Sequence, residues 1–108
     1  MKHDFVFLYV TCPNPECAEK LSTESLHLRL AACANIMSHM KSIYWWEGKI
    51  ESTQECLLIL KTTSVQKMKL IDHLLKTHPY KTPCIAELKL DSLNAAYQGW
   101  ILDSLQQM

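Results

Sequence analysis

The chain has 108 residues, 48% hydrophobic and 20% charged, and its eleven basic and eleven acidic side chains cancel. That composition is globular, and it suits one domain over 1–108 that buries roughly two-thirds of its unfolded surface. A single arginine, Arg29, and no basic run argue against a nucleic-acid partner; the longest apolar run, Phe5 to Val10, is far short of the ~20 residues of a membrane helix.

Phe5 to Val10 is apolar at every position, which predicts a strand covered on both faces or central in its sheet. Asn14 can cap a helix, Pro15 suits its first position and Glu16 its positive end. Ala18, Leu21, Ser25, Leu28 and Ala32 then recur at helical steps, so that helix should end near Ala31 or Ala32. Two strands follow, Cys33 to Trp46 (bent or bulged) and Lys49 to Thr62, joined by a Glu47-Gly48 turn in which Gly48 supplies a positive φ. Cys56 to Leu60 is again wholly apolar, so the third strand is also expected to be central. Ser64 caps a second helix with Val65, Met68, Ile71, Leu74 and Leu75 as its core face, and Pro79 ends it at His78. Ala86, Leu88 and Leu90 alternate with Glu87, Lys89 and Asp91, the pattern of an edge strand buried on one face. Ser92 caps a last helix over Leu93 to Leu105.

The order β-α-β-β-α-β plus a helix predicts an α+β, ferredoxin-like sandwich: one antiparallel sheet, helices on one face, and an extra C-terminal helix. The opposite face, with Tyr9, Tyr44 and a tryptophan, would expose more apolar surface than a monomer tolerates, so an oligomer packed sheet-face inward is expected. Trp45 and Trp46, being neighbours on a strand, point to opposite sides. At least one needs a second hydrophobic surface, and Tyr44, Trp45 and Trp46 are the candidate interface residues.

Thr11-Cys12-Pro13, LAACANI at 30–36, SIYWWEGKI at 42–50, LKTT at 60–63, HPYKTP at 78–83 and Trp100 occur in this order along nearly the whole chain. Together they make the sequence similar to the CutA family, named for divalent-cation tolerance. The resemblance implies a ferredoxin-like subunit in a tight homotrimer, topologically similar to PII signalling proteins, that handles copper(II) or another divalent cation. The family's copper site resembles a cysteine at the end of the first strand with histidines just before HPY. Here the cysteine position reads as Val10 and the first histidine as Thr77, leaving His78, with Cys12 or Cys84 as substituting ligands. A PII-like pocket for a small ligand, involving Lys61 and Tyr80, is the alternative, and a trimeric protein-interaction scaffold without metal is a third reading.

Against each functional reading stands a plainer one. His78 at a helix end can simply cap it, while His3, His27, His39 and His73 are isolated and expected in solvent. Five cysteines form no CxxC pair; Cys33 and Cys56 read as small buried hydrophobes. The odd count suits a reducing compartment, and the Phe5–Val10 run after Lys2 is too short for a leader, so the cytoplasm is expected. Cys12 and Cys17 flank a helix start that could activate a thiol, yet nothing orients His78 as a base, so no enzyme is expected. Lys61-Thr62-Thr63 could hold an anion; otherwise Lys61 pairs with Glu47 or Glu87.

Overall fold

The computed structural model describes residues 4–106, so the readings placed on Lys2 and His3 fall outside it. Its elements are β1 (Phe5–Cys12), α1 (Pro15–His27), β2 (Cys33–Trp46), β3 (Lys49–Thr63), α2 (Ser64–Thr77), β4 (Ile85–Lys89) and α3 (Ala95–Gln106). The four strands form one antiparallel sheet in the order β2-β3-β1-β4. The two wholly apolar strands, β1 and β3, are central, as their composition requires.

Period-two alternation divides these strands between two faces. Val6, Leu8, Val10 and Cys12 of β1, with Cys56, Leu58, Leu60 and Thr62 of β3, are buried, and most of them form the core with Ala18 and Leu21 of α1 and Leu70 and Leu74 of α2. Each full leucine burial contributes about 1.5–3 kcal/mol. Asn14 Oδ1 accepts the Cys17 N–H at 2.8 Å and caps α1, with Pro15 in its first turn.

Helix α1 stops four residues before the position expected from Ala31, because Arg29 turns left-handed at φ 57°. The Arg29 N–H then reaches Leu26 O and the Leu30 N–H reaches Ser25 O, both at 3.0 Å, a Schellman closure without glycine. Leu28 is consequently exposed, while Leu30 and Ala31 fold back into the core.

The second helix is phased differently from the expectation. Leu70 and Leu74 are fully buried with Ile71 beside them, whereas Val65, Met68 and Leu75 are 77%, 60% and 56% exposed. Ile71 and Leu74 thus face the core as expected, but the buried stripe is rotated to take in Leu70 and leaves the flank with Val65, Met68 and Leu75 outside. Thr63, not Ser64, occupies the cap position, and the Ser64 N–H donates instead to Asp4 O at 3.0 Å. Helix α3 begins at Ala95, two residues after Leu93, and buries Ile101 completely.

Edge strand β4 keeps the predicted alternation, but its register puts Ile85 and Glu87 on the helix face opposite Val10 and Leu8. Its apolar Ala86 and Leu88 therefore look out on the face opposite α1 and α2. Lys67 of α2 meets Glu87 at 3.0 Å, which explains a carboxylate under a helix.

Beyond the bulge at Ser38 and His39, β2 and β3 continue as a two-stranded arm. His39 takes φ 64° there, and the arm closes through Glu47 (φ 50°) and Gly48 (φ 80°). Two successive positive φ values define the primed turn that matches strand twist.

Candidate functional site

The predicted metal residues gather unequally at one end of the sheet. Cys12 ends β1, in register with Cys56 on β3, and both face the helices. Cys17, in the first turn of α1, packs against the same core. His78 caps α2 and is 8% exposed. Its Nδ1 accepts the Tyr80 N–H at 3.1 Å, so Nε2 must carry the proton and donates to Thr11 O at 2.8 Å. Tyr80 closes the group by donating its hydroxyl to Glu55 Oε2 at 2.6 Å, with its ring tilted against His78 at 4.9 Å.

This arrangement is unsuited to a metal centre within one chain. Both His78 nitrogens are engaged, one as a donor to a carbonyl, leaving no free lone pair to give an ion. Burial first, and then the neighbouring thiols of Cys17 and Cys56, push the Cys12 thiol up to about 12, away from the thiolate a metal requires. Cys84 is exposed on the loop before β4. Among the described residues no three histidine, cysteine or carboxylate side chains converge as a metal-binding group. The His78 ring bonds Thr11 and Tyr80 rather than the carbonyl end of α2, which its backbone N–H alone reaches, at Leu74 O. Sequence reasoning missed Glu55 as the partner of Tyr80, since a carboxylate six positions before Lys61 carries no local signal.

The two small-ligand candidates do not meet within one chain. Lys61 faces Phe7 and Cys33, and Tyr80 meets Glu55, roughly 20 Å further along β3 at the usual strand rise. Lys61 pairs with neither Glu47 nor Glu87. Its Nζ donates to Tyr97 Oη at 3.4 Å and sits 5.2 Å from the ring centres of both Phe7 and Tyr97, a cation held by aromatic faces. Trp100 stacks on Tyr97 at 5.4 Å. A cleft of about 600 Å³ lies between Phe5, Lys89 and α3, and neither candidate lines it.

Of the other expectations, Cys56 is buried but Cys33 is only half-buried, on the face opposite α1 and α2. His27 and His39 are exposed, whereas His73 turns toward α1 and lies 3.5 Å from Glu24.

On the face opposite α1 and α2, α3 covers the Phe7–Lys61 region through Tyr97. Phe7, Tyr9, Leu57 and Ile59 lie there half-buried, and Met37 and Leu88 are 62% and 41% exposed. Register carries Tyr44 and Trp46 along the same side of the arm and puts Ile43, Trp45 and Ile50 on the other. Trp45 and Trp46 are 73% and 60% exposed, so neither enters this chain's core.

A sheet with α1 and α2 on one side, an apolar face that α3 covers only around Phe7 and Lys61 on the other, and a projecting aromatic arm defines a ferredoxin-like α+β subunit. The family described as CutA1 divalent ion tolerance protein matches residues 6–104. The chain belongs to that family. It is 40% identical over 96 residues to a "Divalent-cation tolerance protein CutA" of Thermococcus kodakarensis, covering 89% of this chain and 91% of the relative. It is 34% identical to a "Divalent-cation tolerance protein CutA" of Pectobacterium atrosepticum, over 95% of this chain and 94% of the relative, and 35% identical to the chloroplastic CutA 1 of rice, over 94% of this chain but only 58% of that longer protein. Among solved structures, divalent ion tolerance protein CutA1 of Ehrlichia chaffeensis superposes with TM-score 0.95 at 34% identity, over 99% of this chain and 100% of that one. A CutA structure from Archaeoglobus fulgidus, titled periplasmic, gives 0.88 at 36% identity, over 97% and 100%. No helix among the described residues is long and apolar enough to cross a membrane.

Proposed function

We propose that this protein works as a PII-like homotrimer in divalent-cation tolerance, with copper(II) as the leading ion, and that it is not an enzyme. The observation that carries the assembly is the open part of the sheet face beyond α3, with its arm: Tyr9, Met37, Leu57, Ile59, Tyr44 and Trp46 form one apolar side that a single chain leaves partly in water. Closed symmetry disposes of such a surface without leaving an open edge for further growth. The ion rests on family membership, since His78, Cys12 and Cys84 do not form a centre in one chain. A buried, protonated Cys12 supports the absence of nucleophilic chemistry. A cytoplasmic location is supported by five free cysteines, although two relatives carry chloroplastic and periplasmic designations.

One observation favours a second reading, a trimeric scaffold or small-ligand sensor without a native metal: both nitrogens of His78 serve the fold. Native mass spectrometry with added copper(II) or zinc(II), and a chelator control, separates the two. A trimer taking one ion per subunit and losing it in His78→Ala supports the ion reading. A trimer without ion uptake supports the second, and a monomer removes the assembly from both.

A further inference from the structure

We propose that the cleft between β4, the start of α2 and α3 binds a small zwitterion, an α-amino acid with an apolar side chain, held by Glu87 and Lys89. The site is separate from the ion and assembly readings: neither His78, nor the cysteines, nor the residues assigned to the open sheet face line it. Its volume of about 600 Å³ lies within the roughly 300–1,000 Å³ of small-molecule sites.

The lining is brought together by backbone pairing. Asp4 O accepts the Ser64 N–H at 3.0 Å, which sets the start of β1 beside the start of α2. Lys89 lies opposite Val6 and Glu87 opposite Leu8, so both stand on the face toward α1 and α2. Phe5, Leu93 and Leu102 supply apolar wall.

Glu87 is only half-satisfied. Its Oε1 meets Lys67 Nζ at 3.0 Å, whereas Oε2 is shut off from water and receives no hydrogen bond from the described residues. An orphaned carboxylate oxygen is costly and calls for an N–H donor. The Glu87 side chain is 25% exposed and its carboxylate torsion is soft, so Oε2 can turn to an entering donor. Lys89 is the converse case, an exposed cation with no ion pair among the described residues.

The two stand two residues apart on one side of a strand, roughly 7 Å between Cα atoms. That spacing suits a ligand with ammonium and carboxylate on one carbon. The ammonium donates to Glu87 Oε2, the carboxylate accepts from Lys89 Nζ, and the side chain lies on the apolar wall. A simple anion would meet Asp4, Glu87 and Asp91, and a simple cation would meet Lys67 and Lys89, so neither alone satisfies the lining.

The test is saturation-transfer NMR titration of the full chain with alanine, valine, leucine, methionine and phenylalanine. Each is compared with the acid lacking its amine and the amine lacking its carboxylate. At least one amino acid should bind, and both truncated analogues and the variants Glu87→Gln and Lys89→Met should each weaken it by about tenfold or more. Circular dichroism verifies the fold of Glu87→Gln, which also loosens the tie to Lys67; Lys89 is exposed, so its variant keeps the test open if the first does not fold. Binding of none of them at millimolar concentration, binding unchanged in both variants, or equal binding of an analogue with one charge would each overturn the proposal.

Discussion

The hydroxyl of Tyr80 donates to Glu55 Oε2 across 2.6 Å, fastening the loop after α2 to β3 at the point where the arm leaves the sheet. Through its own N–H the same residue holds His78, and His78 holds Thr11 O, so one chain of hydrogen bonds spans β1, β3 and the loop. Its members serve geometry first. Tyr80→Phe should therefore destabilise the fold by about 1.5–3 kcal/mol, the worth of a hydrogen bond to a charged acceptor. Urea denaturation of the variant at neutral pH measures it, and an unchanged midpoint would mean that the bond is replaced by water.

Alkaline pH should find the weak point of this end. Burial and neighbouring thiols raise Cys12 from 9.0 to about 12. Burial, then the Glu55 hydrogen bond, raise Tyr80 above its ordinary 10.0. In both cases the folded state holds its proton longer than the unfolded chain. Their stabilisation is thus complete below pH 9 and is lost as pH climbs toward 12. For Cys12 the loss should be on the order of 2–4 kcal/mol. Denaturation curves from pH 8 upward should show this decline, and Cys12→Ala should flatten it.

The phase of α2 can be tested with two adjacent leucines. Leu74 is fully buried and Leu75 is 56% exposed. Leu74→Ala should lose about 2–5 kcal/mol, whereas Leu75→Ala should change stability by about 0.5 kcal/mol or less. Equal losses would place a second surface over the outward side of the helix.

Glu47 carries an avoidable backbone strain. It holds φ 50° at the first turn position of the arm, where asparagine is preferred. Glu47→Asn should raise stability by about 0.5–1 kcal/mol, read as an upward shift of the thermal midpoint. No shift would indicate that arm closure is not part of the cooperative unit.

Assembly through the open face predicts a specific sensitivity. Ile59 lies half-buried at the centre of that face, in register with Tyr9 and Asn35. Ile59→Glu should leave the circular dichroism spectrum native but convert the sedimenting species to monomer, because a charge there would be buried without a partner. A variant that still sediments as the parent species would exclude this face as the interface.

The sequence by itself determined the order of elements, the central places of β1 and β3, the Asn14 cap and the Glu47-Gly48 turn. Each depends on local chemistry: hydrophobic period, a side chain reaching its own helix end, or a backbone angle. Family membership was equally legible, because its motifs are short and ordered along the chain. Tertiary structure alone decided which stripe of α2 is buried, since Val65, Met68 and Leu75 are as apolar as Leu70 and Leu74 and only the entry from Thr63 chooses between them. It also turned the apolar side of β4 outward, through a register set by pairing with β1. Most consequentially, it committed both nitrogens of His78 to Thr11 and Tyr80, residues 67 and two positions away. A histidine's chemistry depends on what meets its ring, and those partners are brought together only by the folded chain.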